Sequence, residues 1–252
     1  MKPDKIRRIV ATLEGLTDGQ LMWIERTANL FSSSMDFVFH EPNYFSREVL
    51  QDFGDTLRIH HAFSVEAFSK DKFEYALEQL LKVRGVPAKL APKGNPGHDI
   101  TIAGDRVSLK TQADRNIKSD VIWISKFMEL GGGIWGAYPS DLVGLRDQFL
   151  QHLSGYDRIF TLRTLRREPD WMYELVEIPK SLFVAASGGR LEMMIGSRQT
   201  PKPGYCYVSD HMGQIYALYF DGGGERKLQV KGLMKRACQV LASWSFVVPE
   251  IV

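Results

Sequence analysis

Between residues 69 and 112 the hydrophobic period changes from helical to extended, and this change limits the folds open to the chain more than any other feature. SKDKFEYALEQLLKV places Phe73, Leu77, Leu80 and Leu81 on one helical stripe, behind a Ser-x-x-Lys start at Ser69. After Pro87 come three short β-like runs, HDITIA, RVSLKTQ and DVIWISKF, separated by Gly-Asp or by polar residues. A helix thus delivers the chain into a sheet. In DITI and VSLK alternate side chains point to opposite faces, and Ala103-Gly104-Asp105 permits a tight hairpin that brings Asp99 towards Lys110.

Further along, LRDQFLQHLSGY reads as a helix, and DRIFTLRTL, WMYELVEIP, LQVKGL and WSFVVP read as strands. Ile6, Ile9, Val10 and Leu13, then Leu21, Trp23, Ile24 and Leu30, have the spacing of short amphipathic helices that clad the core. The expected fold class is α/β, a mixed central sheet flanked by helices. No fixed-period repeat or long linker divides the 252 residues, although GGGIWGAYPSD at 131–141 is a loop-like break, so one domain is expected. With 44% hydrophobic and 25% charged residues, disordered and low-complexity classes are excluded. Thirty-two Lys and Arg against 30 Asp and Glu make no bulk polycation. Two cysteines, Cys206 and Cys238, suit a reducing compartment, and neither a membrane span nor an apolar signal core is visible, which together point to the cytoplasm and no membrane partner.

The chemistry-bearing constellation is Asp99, eight intervening residues, and Ser108-Leu109-Lys110 on an adjacent strand. Phosphodiester hydrolysis needs carboxylates to hold a divalent cation against the scissile phosphate, and a cation near the attacking water. Asp99 and Lys110 supply one of each. Ser108 stands where a second acid two residues before Lys110 would stand, so that acid has to come from elsewhere. Glu74, on the preceding helix between the anchors Phe73 and Leu77, and Glu129 in SKFMELGGG are the candidates, with Glu74 preferred. By spacing alone the pattern is common, and its ordinary reading is a hairpin with a polar face.

The longer wording is more specific. NPGHDITI, VSLKT, WISKFMELG, YDRIFTLR, YELVEIPKSL, GSRQTPKPGY and LYFDGGGERKLQVK together resemble the SmaI family of type II restriction endonucleases, from about Phe53 to near Trp244, with a looser match over the first fifty residues. The Asp99 and Ser108–Lys110 stretch likewise resembles the PD-(D/E)xK nuclease superfamily, in which the second acid sometimes migrates to the helix before the sheet. The resemblance implies a nuclease core over 65–180, a mostly helical part over 1–60 and DNA-recognition loops over 190–235. It also implies Mg²⁺-dependent cleavage of both strands of double-stranded DNA at a short palindromic, GC-rich (CCCGGG-like) site by a homodimer, with a cognate DNA methyltransferase in the same cell. Asp99, Glu74 and Leu109 are then the expected metal ligands, with Lys110 and Ser108 beside the reacting phosphate. Gln112 departs from the family, where an acid is expected after the LKT stretch. A nickase on the same core and a catalytically silent DNA-binding module are the competing functions.

Reading a GC-rich site calls for Arg forks that meet guanine O6 and N7. Arg226, Lys227, Gln229 and Lys231 follow three glycines that let a backbone approach a groove, and Arg198, Gln199 and Lys202 lie on a loop stiffened by Pro201 and Pro203. Arg115 and Asn116, just past the catalytic strand, could reach phosphates or the minor groove, or Asn116 could cap a helix. Lys126 could contact the scissile phosphate or pair with Glu129. His98, beside Asp99, could touch a phosphate or assist the water, although a lone His is more often a local hydrogen-bonding residue, and the His60-His61 pair, without metal-ligand spacing, reads the same way. Trp123, Trp135, Trp171 and Trp244 are scattered, as core or dimer contacts are.

Overall fold

The computed structural model describes residues 2–92, 94–95, 97–132 and 135–248; Pro96 and, within the 131–141 break, Gly133 and Ile134 lie outside them. Two helices, α1 (Lys2–Leu13) and α2 (Asp18–Ser32), lead to strand β1 (Met35–Phe39), then α3 (Arg47–Phe63) and α4 (Lys70–Val83). There follow β2 (Ala88–Leu90), β3 (Ile100–Ile102), β4 (Asp105–Gln112), β5 (Val121–Glu129), α5 (Val143–Leu153), β6 (Arg158–Arg166), β7 (Asp170–Glu177) and α6 (Lys180–Val184). The chain closes with β8 (Arg190–Met193), β9 (Gly204–Asp210), β10 (Gly213–Phe220), β11 (Lys227–Met234) and β12 (Gln239–Val247).

The strands form two sheets instead of the single one expected. The first is mixed, in the order β1-β12-β7-β6-β4-β3-β2, with β4 and β6 parallel and its other pairs antiparallel. The second, β5-β11-β10-β9-β8, is antiparallel throughout. The run DVIWISKF is therefore not a neighbour of the Lys110 strand in one ladder. It is the edge of the second sheet, because its alternation pairs with β11.

Helix α4 forms where its stripe predicts it, with the Ser69 hydroxyl accepting from the Lys72 amide at 3.4 Å. Phe73, Leu77 and Leu81 of α4 and Leu50, Phe53 and Leu57 of α3 pack on Val107 and Leu109 of β4 and on Phe160 and Leu162 of β6. Because strand side chains alternate, Ser108, Lys110 and Gln112 face the opposite way, towards a second core built by α5 and the second sheet. The β3–β4 turn is the tight hairpin expected: Ala103 and Gly104 take φ of 49° and 101°, the conformation of a two-residue primed turn.

Between the sheets lies Arg163 of β6, which is fully buried. Its guanidinium donates to Gln112 Oε1 of β4 (2.8 Å), to Glu174 of β7, and to the carbonyls of Lys118 (2.7 Å), Ser119 (3.2 Å) and Val121 (2.7 Å). Gln112 is thus a structural acceptor for Arg163. Asn116 caps no helix: it takes φ of 64° in the turn that these carbonyl contacts hold.

Other expectations fail for identifiable reasons. Helices α1 and α2 form, but they do not clad the core: Ile6, Ile9, Val10, Trp23 and Ile24 remain exposed, and of the two helices' side chains described only Leu30 is buried. Periodicity reports an apolar face without reporting what covers it. Trp171 and Trp244 are core residues, but Trp123 stands 49% exposed on the outer face of β5.

Replacing Arg163 by Met leaves buried Glu174 with Lys235 as its remaining charged donor and takes the guanidinium donors from Gln112 and three carbonyls. The unfolding free energy in urea is expected to fall by about 3–5 kcal/mol, whereas Trp123→Ala is expected to change it by less than about 0.5 kcal/mol.

Candidate active site

Asp99 precedes β3 and extends its ladder with β4, its amide donating to the Val107 carbonyl (2.9 Å) and its carbonyl accepting from Ala91 (2.9 Å). This register places its side chain beside Ser108. One carboxylate oxygen, Oδ2, accepts from the Leu109 amide (2.6 Å) and the Ser108 hydroxyl (3.2 Å); the other, Oδ1, meets Lys70 Nζ at 2.7 Å. Lys70 also lies 3.1 Å from Glu74 Oε1, one turn along α4. The helix thus brings Glu74 to Asp99 through a shared ammonium. Glu74 is half-buried, and burial raises its carboxyl above the usual range against the lowering effect of Lys70, with the charge of Asp99 adding to the rise.

Lys110 lies on the same face of β4 as Ser108, 8% exposed. Its ammonium stands 5.2 Å from the centre of the Phe127 ring and makes no hydrogen bond or ion pair with any described residue. Burial lowers its pKa to about 8, although Asp99 and Glu74 pull it up. A buried ammonium without a partner is costly, and an anion entering this cleft would supply one.

The cleft, of about 540 Å³, is lined by Lys70, Asp99, Lys110 and Glu129 and by Gln148, Gln151 and His152 of α5. Glu129 reaches its edge but is 69% exposed and pairs with Lys126 (2.7 Å). The choice between a phosphate contact and this pair thus falls to the pair in the free protein. His98 is outside the cleft, sharing a hydrogen bond with Thr101 (3.1 Å), and His61 is stacked on Trp171 and hydrogen-bonded to Tyr173 (2.7 Å), local roles as expected.

Among the described residues no group of three or more His, Cys, Asp or Glu is placed to hold a metal ion. Two carboxylates joined across one cation are the donor set that suits Mg²⁺, which takes one or two protein carboxylates and completes its shell with water and phosphate oxygens.

A cleft lined by carboxylates and by a buried cation that has no ion-pair partner among the described residues suits phosphodiester hydrolysis, and comparison with known proteins agrees. The family model described as SmaI, type II site-specific deoxyribonuclease, matches residues 9–246. The chain belongs to this family. It is also 47% identical, over 208 residues, to the type II restriction enzyme SmaI of Serratia marcescens, covering 81% of this chain and 82% of that one. No solved structure matches. The similarity starts earlier than the wording suggests, reaching α1. Of the three functions open to the sequence, family membership selects the site-specific deoxyribonuclease, a restriction enzyme acting on double-stranded DNA.

The two loops expected to read DNA in this SmaI-family chain meet each other. Gln199 Nε2 donates to Asp221 Oδ1 (3.3 Å), and Gly222 packs so closely on Pro201 that a Cβ would lie 1.8 Å from the Pro201 carbonyl oxygen. Gly222 is therefore required by loop-to-loop packing, a reason different from the groove approach expected. Gln199, Gly222–Gly224, Arg226 and Glu129 line one hollow, and Glu129 also borders the carboxylate cleft, so the two are contiguous. Arg226 takes φ of 40° and donates to the Gly132 carbonyl (2.7 Å). Arg198 is exposed, Lys227 pairs with Glu225 (2.8 Å), and Lys202 donates to the carbonyls of Ile195 (2.7 Å) and Ser197 (3.0 Å), shaping its own loop. Lys231 lies over the Tyr219 ring, 3.6 Å from its centre, while Gln229, Arg115 and Asn116 line a separate cleft with Trp123.

Lys70 and His152 were not singled out from sequence. The signals were present: Lys70 and Glu74 are four apart on one helix, as are Gln148 and His152. Burial first, and the charge of Lys110 next, lower His152 to about 4; His61 is also lowered to about 4, chiefly by burial. Both are therefore neutral at pH 7, and the unfolded chain binds their protons more readily, at its usual pKa of about 6.5. Stability from this source is complete above about pH 6.5 and is lost as the pH falls towards 4. Urea titrations across that interval are expected to show the decline, and His152→Gln is expected to flatten it.

Proposed function

We propose that the chain makes Mg²⁺-dependent double-strand cuts at a short palindromic, GC-rich, CCCGGG-like DNA site, using a PD-(D/E)xK core. The observation that carries this is the meeting of Asp99 and the Lys110 ammonium in one cleft contiguous with the two loops, with Glu74 tied to Asp99 through Lys70. Asp99 and Glu74 are the proposed metal ligands, joined by the backbone carbonyl of Leu109. Bound Mg²⁺ would supply Lewis-acid activation of the scissile phosphate and lower the pKa of the attacking water.

The side chains divide the remaining work. The Leu109 amide and Ser108 hydroxyl fix Asp99 by one oxygen and leave the other facing the cleft. Ser108 acts by orienting Asp99. The Lys110 ammonium, unable to leave its buried position, stabilises the negative charge added to the phosphorus centre as water attacks. In this reading 65–180 form the nuclease core of a single domain, and 190–235 recognise DNA: Arg226 reads bases, Arg198, Gln199 and Lys202 act from the neighbouring loop, and Lys227, Gln229 and Lys231 from β11. Arg115, Asn116 and Lys126 contact the backbone.

A palindrome cut on both strands calls for two copies related by a two-fold axis. The apolar residues that α1 and α2 leave exposed fit burial against a second copy. A cytoplasmic location is supported by the two free cysteines; no described helix is long and apolar enough to cross a membrane. A cognate DNA methyltransferase in the same cell would protect the host sites without touching this chain.

Plasmid digestion with and without Mg²⁺, followed by sequencing of the ends, tests the reaction, and single nicks or metal-independent cutting would overturn it. Asp99→Ala and Lys110→Ala are each expected to lower cleavage by about a hundredfold or more while specific DNA binding stays measurable. Glu74→Gln is expected to impair Mg²⁺ dependence far more than Glu129→Gln, and the reverse order would transfer the metal role. For Arg226→Ala, a loss of about 1–3 kcal/mol confined to the cognate duplex is expected; an equal loss on all duplexes, with a salt slope smaller by about one, would make Arg226 a phosphate contact.

A further inference from the structure

Lys70 occupies the position between the two carboxylates that the proposed ion would join. Its ammonium lies 2.7 Å from Asp99 Oδ1 and 3.1 Å from Glu74 Oε1, while the other Asp99 oxygen is engaged by the Leu109 amide and Ser108 hydroxyl. The oxygen of Asp99 that is left for a metal is therefore the one that Lys70 holds. An ammonium and a divalent cation cannot share this gap, since like charges at such separation repel strongly.

The two lysines of the cleft differ in mobility. Lys110 is buried on a central strand, whereas Lys70 is 39% exposed, on a four-carbon stem in the first turn of α4 at the cleft edge. Lys70 can therefore withdraw by rotating about its side-chain bonds, with no change in the backbone. With Lys70 in place, two carboxylates and two ammonium groups balance. With a divalent ion in the gap and Lys70 turned outward, the inner cleft carries one net positive charge, and the withdrawn ammonium stands at the entrance. That distribution suits a phosphodiester, which brings one negative charge and oxygen ligands of its own.

We propose that Lys70 is a displaceable internal cation, holding Asp99 and Glu74 together in the free enzyme and giving way to the metal when DNA enters. The inference rests on the assignment of Asp99 and Glu74 as metal ligands. Its consequence is coupling: metal binds weakly to the free enzyme because it must expel Lys70, and DNA offsets that cost by accepting the expelled ammonium.

Calorimetric titration of the DNA-free, full-length enzyme with Mn²⁺ separates the two ideas without measuring cleavage. Lys70→Met keeps the length of the stem and removes the charge, and is expected to tighten Mn²⁺ binding by about tenfold, the factor that a half-buried ion pair of ordinary strength is worth. Lys70→Arg, which retains a competing cation, is expected to bind no tighter than the unaltered chain. Thermal unfolding of both variants checks that they are folded. If Asp99→Ala and Glu74→Gln abolish Mn²⁺ binding but Lys70→Met leaves it unchanged or weaker, the metal assignment stands and the role given to Lys70 is overturned. If Asp99→Ala and Glu74→Gln bind Mn²⁺ as well as the unaltered chain does, the metal assignment fails and the inference fails with it.

Discussion

The guanidinium of Arg163 has five N–H donors, and each meets an acceptor in the interior, three of them carbonyls on the segment that enters β5. Glu174, its charged partner, also accepts from Lys235, just beyond the end of β11. One buried ion pair therefore joins β4, β6 and β7 of the first sheet to one end of the β5–β11 pair in the second, where the start of β5 lies beside the end of β11. A charge pair without water contributes little net stability, but removing one partner is severe, so its effect is to fix geometry. The strand carrying Lys110 and the sheet carrying the loops around Arg226 are held in register with each other by this contact. A nuclease that cuts where it reads needs that fixed relation.

Local electrostatics in the cleft follow from the same alternation of strand side chains. Val107 and Leu109 face α3 and α4, which forces Ser108 and Lys110 to the face where Asp99 arrives. Lys110 is desolvated by the packing that positions it, and among the described residues its ammonium has no hydrogen-bond or ion-pair partner. The Asp99–Lys70–Glu74 chain, in contrast, is internally satisfied. The site thus contains one cation fixed in position and one that can move.

Legibility from sequence followed the range of the interactions. Helix α4 and the β3–β4 hairpin were readable because a stripe, a cap and a two-residue turn are local, and the approach of Asp99 to Lys110 followed from them. The second sheet was not, since β8 to β10 lie in stretches read as loops and the β5–β11 pairing joins residues about a hundred positions apart. Arg163 sits in DRIFTLRTL, where alternation shows that it shares a face with Thr161 and says nothing of its acceptors. The glycines before Arg226 were correctly located in a loop, yet the cause at Gly222 is the carbonyl of Pro201, a contact between two segments whose proximity no local pattern encodes. Lys70 was passed over as part of a helix start; the i, i+4 relation to Glu74 was visible, but its third partner, Asp99, arrives from another element.

Serine in place of an acid at position 108 follows from charge balance. An acid there would stand beside Asp99 Oδ2, already bound to the Leu109 amide, and would add a carboxylate to the Asp99–Lys70–Glu74 chain. Burial already raises Glu74, with the charges of Asp99 and Asp71 adding to the rise, so a further carboxylate beside Asp99 would favour protonation of one of them. Serine instead donates to Asp99, keeping that oxygen occupied and the side chain oriented. Glu74, the proposed second acid, is carried by α4, four residues from Lys70 on an element anchored by Phe73 and Leu77. Under the proposed metal assignment, the acid on the helix and the placement of Lys70 one turn before it are two parts of one electrostatic arrangement.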